Sequence, residues 1–387
     1  MVGSPPKVGL LSKLDFRFNE KMGIGVEIEV QFVDAETGDL KPLGPAVLEH
    51  VAVVGDVRGK AELFQSMLEI DSPICTSAIE AGKSLRHSLG EIRRIAGNLN
   101  SKVVMSGTHP FANYSERLLT PSGRYYSLMD RNQWIARRLQ IFGLHVHLGM
   151  RDGEHAIAMN NALCHYLPFF LALSASSPYW HAEDTGLASS RITFFEAIPT
   201  GGHPCLMNSW GDFEVLIQRL IRSRSIGSIK DLWWDIRPNT EYGTIEIRIA
   251  DCPPTMTEVQ ALVALIHTVA VFIDTELRAG RKFAPPPEWV LRENKWRASR
   301  HGVECDLIQN IDGLSRPFAE LWHETTSAFH HVISEFEYES EFLFLNEILE
   351  KGPSYKRQRI AFTGDFDSVI QHLIREGEAD RPEWPAV

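Results

Sequence analysis

Five short segments of the chain have the length and composition of β-strands, and three of them alternate between apolar and polar residues. The five are residues 25–33, 63–70, 102–106, 141–150 and 244–250, and the first, fourth and fifth alternate. Because successive side chains of a strand point to opposite faces of a sheet, each alternating strand should bury an apolar face and present a polar one.

Five longer segments have helical periodicity: residues 78–99, 154–175, 212–223, 259–273 and 318–349. The first is an amphipathic surface helix, the second and fourth are apolar enough to be buried, and the fifth is one long helix or two. Strands and helices mix without a strict β-α-β alternation. The pattern therefore predicts an α+β fold with a largely antiparallel sheet and flanking helices.

The chain of 387 residues could hold two or three domains or a single large one. Because no linker rich in Pro, Gly and Ser divides it, we predict a single domain over residues 21–375. This leaves an N-terminal extension, residues 1–20, and a C-terminal tail, residues 376–387. The Pro-rich segment 285–287 is the best candidate for a boundary between lobes.

Composition narrows the class of protein. Lys and Arg number 39 against 50 Asp and Glu, a net charge of −11 that disfavours a nucleic-acid or anionic-membrane partner. Five cysteines with no C-x-x-C pair indicate a reducing compartment. The apolar run near the N-terminus, residues 8–11, is too short for a signal peptide, so we do not expect one. Residues 155–182 lack charge but carry too many polar groups for a membrane span. We expect a cytoplasmic protein.

The polar faces of the three alternating strands carry an unusual set of side chains. They are Glu27 and Glu29, His145 and His147, and Glu246 and Arg248. For one strand, an ordinary solvent-facing surface is an equally good interpretation. Glutamate is depleted in strands, however, and neighbouring carboxylates repel each other unless a cation lies between them. Three such strands in one chain favour a polar, catalytic sheet face.

Carboxylates with one or two imidazoles suit Mg²⁺ or Mn²⁺ better than zinc. Arg248 beside Glu246 places a fixed cation next to a candidate metal ligand, as expected where a phosphate chain bridges the two. Glu69 is a further carboxylate in apolar company, and Glu62 precedes the same strand. The chain has no P-loop, no dinucleotide fingerprint and no nucleophile elbow. The H-x-H pair could mark an amidohydrolase barrel, but the regular β/α series of that fold is missing.

Seven motifs occur in an order that resembles the glutamate–cysteine ligase type 2 family, the carboxylate–amine ligases. They are GVEIE at 25–29, EIDSP at 69–73, SGTHPF at 106–111, GLHVHLG at 143–149, WDIRP at 234–238, TIEIR at 244–248 and NKWRA at 294–298. The resemblance covers residues 20–375. It implies a glutamine-synthetase-like catalytic fold with a curved, mainly antiparallel sheet.

The resemblance also implies the reaction and its cofactors. A substrate carboxylate, in the family the γ-carboxylate of glutamate, takes the γ-phosphoryl group of ATP, and an amine then displaces phosphate to form an amide. ATP and Mg²⁺ (or Mn²⁺) are the implied cofactors, and the implied partners are small molecules, an amino-acid carboxylate and an amine. A homodimer or a higher homo-oligomer stays open. Cysteine is the family's named acceptor, but no residue of the sequence specifies a thiol.

The resemblance assigns roles to individual residues. The implied metal ligands are Glu27, Glu29, Glu69, Glu246 and His145, with Glu62 a weaker match. The implied nucleotide-binding residues are His145, His147, Arg248 and Arg297. Arg248 and Glu69 are the implied catalytic residues, Arg248 because it would neutralise the transferred phosphoryl group. Arg297 could instead form an ion pair on a helix surface.

Arg191 is a candidate ligand of a substrate carboxylate, with a plain surface turn as the alternative. Because acyl phosphates hydrolyse easily, a loop should exclude water, and residues 182–200 with the Gly201–Gly202 turn are the candidates. Residues 192–204 are where we expect substrate specificity to reside. Two other functions stay open: a relative without catalysis that senses a nucleotide or amino acid, and a guanidino-type kinase.

Overall fold

Thirteen strands lie within residues 14–114 and 117–384, the parts of the chain that the computed structural model describes. In chain order they are β1 (Ile24–Asp34), β2 (Lys60–Ala61), β3 (Met67–Asp71), β4 (Ser101–Val104), β5 (Leu144–Gly149), β6 (Tyr179–Trp180), β7 (Glu183–Asp184), β8 (Gly201–Gly202), β9 (Trp233–Trp234), β10 (Ile236–Asn239), β11 (Thr244–Ile247), β12 (Asp306–Ile308) and β13 (Ser315–Pro317). The first 13 residues of the predicted N-terminal extension lie outside the described residues.

Fourteen α-helices belong to the same described parts. They are α1 (Gly44–Val54), α2 (Ala78–Asn98), α3 (Gly123–Asn132), α4 (Gly153–Leu163), α5 (Leu167–Ser174), α6 (Arg191–Glu196), α7 (Trp210–Arg222), α8 (Met256–Arg278), α9 (Glu288–His301), α10 (Phe318–Ala328), α11 (His330–Glu335), α12 (Glu339–Lys351), α13 (Ser354–Ala361) and α14 (Asp367–Ala379).

Seven strands form one sheet in the order β10-β11-β5-β1-β3-β2, and β4 pairs with the C-terminal half of β1. Every pair in this sheet is antiparallel. The long strand β1 lies at the centre, with β5 on one side and β3 on the other. The predicted α+β fold with a mainly antiparallel sheet is therefore confirmed.

One face of the sheet is apolar and covered by helices. Val26, Ile28, Val146 and Ile245 are at most 1% exposed and belong to the main hydrophobic core. Helices α2 and α8 pack against each other and against β1 and β5. By length and hydropathy α8 could cross a membrane, but 78% of its most apolar window is buried inside the fold. Its apolar surface is thus explained by packing against the sheet and its neighbours.

Two predicted helices are interrupted. Residues 154–175 form α4 and α5, which meet at an angle of 63°. Pro168 lies in the first turn of α5, where its missing N–H and its restriction of the preceding residue break the helix. Residues 318–349 form three helices, α10 to α12, where one or two were expected; Glu337 between the last two has a φ of 57°.

Three predicted boundaries also differ. In the segment 63–70 the strand begins only at Met67. Residues 285–287 precede α9, whose Leu291 and Ala298 belong to the same core as the sheet, so two separate cores do not meet there. Residue 376 lies inside α14, and Glu376 is fully buried in an ion pair of 2.5 Å with Arg357. The predicted start of the tail therefore falls within a packed helix.

Candidate functional site

The uncovered face of the sheet forms the floor of a cleft of about 920 Å³. Its floor carries the polar residues of the three alternating strands together with two carboxylates near β3. These are Glu27, Glu29, Glu62, Glu69, His145, His147, Glu246 and Arg248. Sequence reasoning had selected all eight, and the structure brings them together. The roles assigned to them stay predictions.

The strand register explains this convergence. Glu27 of β1 lies opposite His145 of β5, and His147 lies opposite Glu246 of β11. Side chains directly opposite each other in an antiparallel pair share a face. Glu29 faces Glu69 of β3 in the same way.

At the centre of the floor, two carboxylates and an imidazole converge. The carboxylate oxygens of Glu27 lie 3.6 Å from Nδ1 of His145 and 3.6 Å from Nε2 of His147. Nε2 of His147 lies 3.9 Å from Oε1 of Glu246. One ligand atom each from Glu27, His147 and Glu246 can be chosen within 4.8 Å of one another. Nδ1 of His147 contacts the hydroxyl of Thr244 at 3.0 Å, which fixes the ring with Nε2 toward the carboxylates.

Two arginines hold Glu246. Arg248 pairs with its Oε1, and Arg237 reaches its Oε2 through Nη2 at 2.7 Å and Nε at 3.1 Å. Burial opposes ionisation of Glu246, but Arg237 and Arg248 outweigh it and hold the pKa well below its ordinary value. Burial likewise opposes ionisation of Glu27, and the two histidines hold its pKa well below the usual range. Both carboxylates are therefore ionised at neutral pH.

The carboxylates nearer β3 have raised pKa values, in contrast to Glu27 and Glu246. Burial, reinforced by the charges of Glu29 and Glu69, raises the pKa of Glu62 to about 8. Burial, with the charge of Glu27, raises the pKa of Glu69 to about 7, although Lys60 lies 3.0 Å from its carboxylate and opposes the shift. This half of the floor has more negative charge than its own cations balance.

These residues fit a divalent cation. Oxygen donors dominate and no thiolate is present on the floor, which matches the preference of Mg²⁺ and Mn²⁺. Both ring nitrogens of His145 are buried and have no hydrogen-bond partner among the described residues. A Cβ at position 143 would lie 2.8 Å from Nε2 of His145, so Gly143 leaves the space that this ring occupies.

Cations line the rim of the cleft, and sequence reasoning missed them. They are Lys60, Arg124, Arg131, Arg224 and Lys230. Among the described residues, no hydrogen bond is made by the guanidinium groups of Arg124, Arg131 and Arg224, and no carboxylate lies within 4.0 Å of them; the charge of Arg124 acts on Glu62 from farther away. Arg124 and Arg131 are seven positions apart in α3, which places them on one helix face. That spacing was a signal available in the sequence.

The structure does not bring two of the predicted site residues into the cleft. Arg191 is 1% exposed and donates to the backbone carbonyls of Arg248 and Ile249, so it supports the chain behind the floor and is not placed to grip a substrate carboxylate. Arg297 lies on α9 and pairs with Glu293 at 2.9 Å. The ion pair on a helix surface, the alternative for Arg297, is what the structure shows.

Part of the predicted water-excluding loop borders the cleft. Ile198 and Thr200 line it, and Gly201–Gly202 pairs in parallel with β9. Trp233 of β9 also lines the cleft, whereas Trp234 is buried in a side cluster of the core. The segment 192–204 is thus adjacent to the site in its middle, at Ile198 and Thr200.

Comparison with known proteins identifies the family. The sequence model of glutamate–cysteine ligase family 2 matches residues 23–376. A protein of Bdellovibrio bacteriovorus with the provisional name glutamate–cysteine ligase 2 is 45% identical over 95% of this chain and 97% of its own. A protein of Frankia casuarinae with the provisional name glutamate–cysteine ligase 2-1 is 37% identical over 96% of this chain and 99% of its own.

Solved structures agree at the level of the fold. The glutamate–cysteine ligase of Francisella tularensis, solved in complex with AMP, superposes with a TM-score of 0.69 at 13% identity, over 96% of this chain and 91% of that one. A bifunctional glutathione synthetase of Pasteurella multocida superposes with a TM-score of 0.60 at 13% identity, over 94% of this chain and 51% of that one. The family match over residues 23–376 and the relatives of 45% and 37% identity confirm the resemblance seen in the motifs: the chain belongs to glutamate–cysteine ligase family 2.

Proposed function

We propose that this protein is an ATP-dependent carboxylate–amine ligase that forms a γ-glutamyl-type amide bond through an acyl phosphate. The observation that carries the proposal is the pairing of Arg248 with Glu246 on an acidic floor. A floor of carboxylates alone would repel a triphosphate. A guanidinium fixed beside a cation-binding carboxylate instead offers a place for a migrating phosphoryl group.

The floor would hold Mg²⁺ or Mn²⁺ through Glu27, Glu246 and His147, with Glu29, Glu62, Glu69 and His145 around them. When bound, such ions neutralise phosphate charge. Arg237 keeps Glu246 ionised and in place, so that Glu246 stays available to a cation, and Arg248, which lines the cleft, would meet the migrating phosphoryl group.

The reaction balances in two steps. An oxygen of the donor carboxylate attacks the γ-phosphorus of ATP, the bond from that phosphorus to the bridging oxygen breaks, and ADP leaves. The amine then attacks the acyl carbon, phosphate leaves with the electrons of the C–O bond, and the amine releases a proton. Arg248 neutralises the phosphoryl oxygens in the first step and the departing phosphate in the second.

The rim indicates anionic substrates. Arg124 and Arg131 of α3 have free guanidinium groups facing a cleft large enough for a nucleotide and amino acids. Amino-acid carboxylates and the phosphates of ATP are the anions that the proposed reaction brings there. Glutamate is the proposed donor because of the family. The acceptor is an amine whose identity is left to experiment. We place the enzyme in the cytoplasm, in line with its unpaired cysteines.

The experiment is an ADP-release screen over pairs of carboxylate donors and amine acceptors in Mg²⁺, with mass spectrometry of the products. Hydroxylamine in place of the acceptor should trap the acyl phosphate as a hydroxamate. ADP together with a hydroxamate or an amide supports the ligase. ADP with a phosphorylated guanidine would indicate a kinase, and no ADP with any pair would indicate a sensor; either result rejects the proposal.

A further inference from the structure

Two residues of the sequence motifs, neither of which takes part in the proposed chemistry, meet in the interior of the fold. Asp235 belongs to WDIRP and Lys295 to NKWRA. Nζ of Lys295 lies 2.9 and 2.7 Å from the two carboxylate oxygens of Asp235, and 2.6 Å from Oε1 of Glu196. The side chain of Lys295 is 3% exposed and that of Asp235 is fully buried. A single ammonium group therefore joins α9, α6 and the turn between β9 and β10.

Among the described residues, Lys295 and His203 are the only cationic or imidazole groups within 4.0 Å of the carboxylates of Asp235 and Glu196. Nδ1 of His203 lies 3.6 Å from Asp235, but burial lowers the pKa of His203, so the ring is neutral at pH 7. Both of its ring nitrogens are buried without a hydrogen-bond partner among the described residues. An ion pair buried in this way is costly to form, and removing one member leaves an uncompensated charge.

Both acidic partners of Lys295 belong to segments that contact Arg248. The backbone N–H of Arg248 donates to the carbonyl of Asp235 at 2.8 Å. Glu196 is the last residue of α6, and Arg191 is the first. The guanidinium of Arg191 donates to the backbone carbonyl of Arg248 at 3.2 Å, and the ring of Phe195 in α6 lies 5.8 Å from the guanidinium carbon of Arg248. The chain at Arg248 is thus held on one side by Asp235 and on the other by α6.

We propose that Lys295 is a positioning residue that fixes Arg248 against Glu246 by joining these two supports. Lys295 is not among the residues that line the cleft, so in this proposal it acts through other residues. The kinetic consequences of the assignment rest on the proposed function, whereas its structural consequences do not. A shift of the order of 1 Å at a phosphoryl-transfer cation is enough to slow chemistry by about 100-fold.

The test compares Lys295→Met, Lys295→Arg and Glu196→Gln with the wild type in the full chain. Lys356→Met is the matched control, because Lys356 also pairs with a glutamate, Glu304 at 2.9 Å, away from the cleft. Crystal structures and kcat and KM for ATP are measured for each folded variant. Lys295→Met should displace the Arg248 guanidinium by about 1 Å or more and lower kcat by about 100-fold, with KM for ATP changed less than about threefold. Lys295→Arg should recover part of kcat, and Lys356→Met should match the wild type.

A second comparison separates positioning from general destabilisation. In an Arg248→Lys background, measured by single-turnover ADP formation, Lys295→Met should cost less than about threefold, because the group it positions has been replaced. An equal loss in both backgrounds would overturn the proposal, as would an unmoved Arg248 with unchanged kcat.

The same variants also decide two other outcomes, a Lys295→Met variant that does not fold and a wild type that turns over no ATP. If Lys295→Met does not fold, Glu196→Gln decides, because the Glu196 side chain is 44% exposed and its loss leaves the Lys295–Asp235 pair intact. It should loosen α6 and lower kcat by about tenfold, and no change would reject the role. If the wild type turns over no ATP, the proposed function fails, and the position of Arg248 in the variant structures still tests this inference.

Discussion

The residues of the floor differ in how well they could be predicted from the sequence. The alternation in three strands selected Glu27, His145 and Glu246 because a two-residue period assigns faces without knowledge of the fold. Arg237 was missed as a site residue because its strand, β10, has four residues and includes a proline, too short for a pattern. Its role depends on the strand register, which places Arg237 opposite Glu246. This register cannot be read from the residues near Arg237 in the sequence.

The Glu246 carboxylate offers the most direct test of the floor. Glu246→Gln removes a charge held by two arginines and should lower turnover at least about 1,000-fold. Glu27→Gln should have a similar effect, because it removes another of the three converging ligands. The measurement is ADP release together with thermal unfolding in Mg²⁺ and in EDTA. Both variants should fold and should lose most of the Mg²⁺-induced rise in Tm. Full activity in either variant, or in wild type with excess EDTA, would contradict the metal site.

The carboxylates near β3 predict a pH dependence. The pKa of Glu62 and of Glu69, about 8 and about 7, lie above the ordinary 4.5, so the folded protein binds these protons more tightly than the unfolded chain. Without metal, the free energy of unfolding contributed by these groups is therefore highest below pH 4.5 and is lost as the pH rises toward 8. The proposed Mg²⁺ would replace the protons, so its stabilising effect should grow over the same range.

Thermal unfolding at pH 6 and pH 8.5, with and without Mg²⁺, measures this effect. The rise in Tm on adding Mg²⁺ should be larger at pH 8.5, and Glu62→Gln and Glu69→Gln should each reduce the difference between the two pH values. An Mg²⁺ effect that is equal at both pH values would reject the prediction.

At the scale of elements, the sequence predicted which helices exist better than it predicted the residues at which they begin and end. The period of α8 and of α2 identified each helix because apolar residues recur over several turns. The breaks between α4 and α5, and between α11 and α12, depend on single residues, Pro168 and Glu337, whose effect is decided by the surrounding packing. Helix α3 was not predicted because none of its residues is buried, and an apolar stripe is what the periodicity detects.

Helix α3 nevertheless has a testable role. Its free arginines, Arg124 and Arg131, should bind substrate carboxylates or phosphates, so Arg124→Ala and Arg131→Ala should each raise KM for one substrate by about 10- to 100-fold. Their effect on kcat should be smaller, since the ion-pair partners of Glu246 in the described part of the chain, His147, Arg237 and Arg248, all lie outside α3. Initial rates with each substrate varied in turn show which anion each arginine holds. Arg219→Ala, on the exposed side of α7, serves as a control that should leave every KM unchanged. Unchanged KM values in both α3 variants would remove α3 from the binding site.

At the scale of the whole molecule, the motifs predicted the family and the fold class, while the C-terminal limit was placed inside the packed structure. Composition does not mark that limit, because residues 376–379 are as polar as a tail. Their contacts are made across the chain: Glu376 meets Arg357 of α13, which also pairs with Glu258 of α8 at 2.7 Å. Such long-range ion pairs leave no local signature in a sequence.

This C-terminal network predicts the effect of truncation. Ending the chain after residue 375 removes Glu376. The Arg357 side chain, which is fully buried, then keeps Glu258 as its one acidic partner among the described residues. Breaking a buried pair in this way costs about 3–5 kcal/mol of unfolding free energy. Urea unfolding should show that loss when the truncated chain is compared with a chain that ends at Trp384. Glu376→Gln in the full chain isolates the charge from the helix, and it should reproduce most of the loss because the rest of α14 stays packed against the core. Equal stability of the chains ending at 375 and at 384 would show that the network contributes nothing.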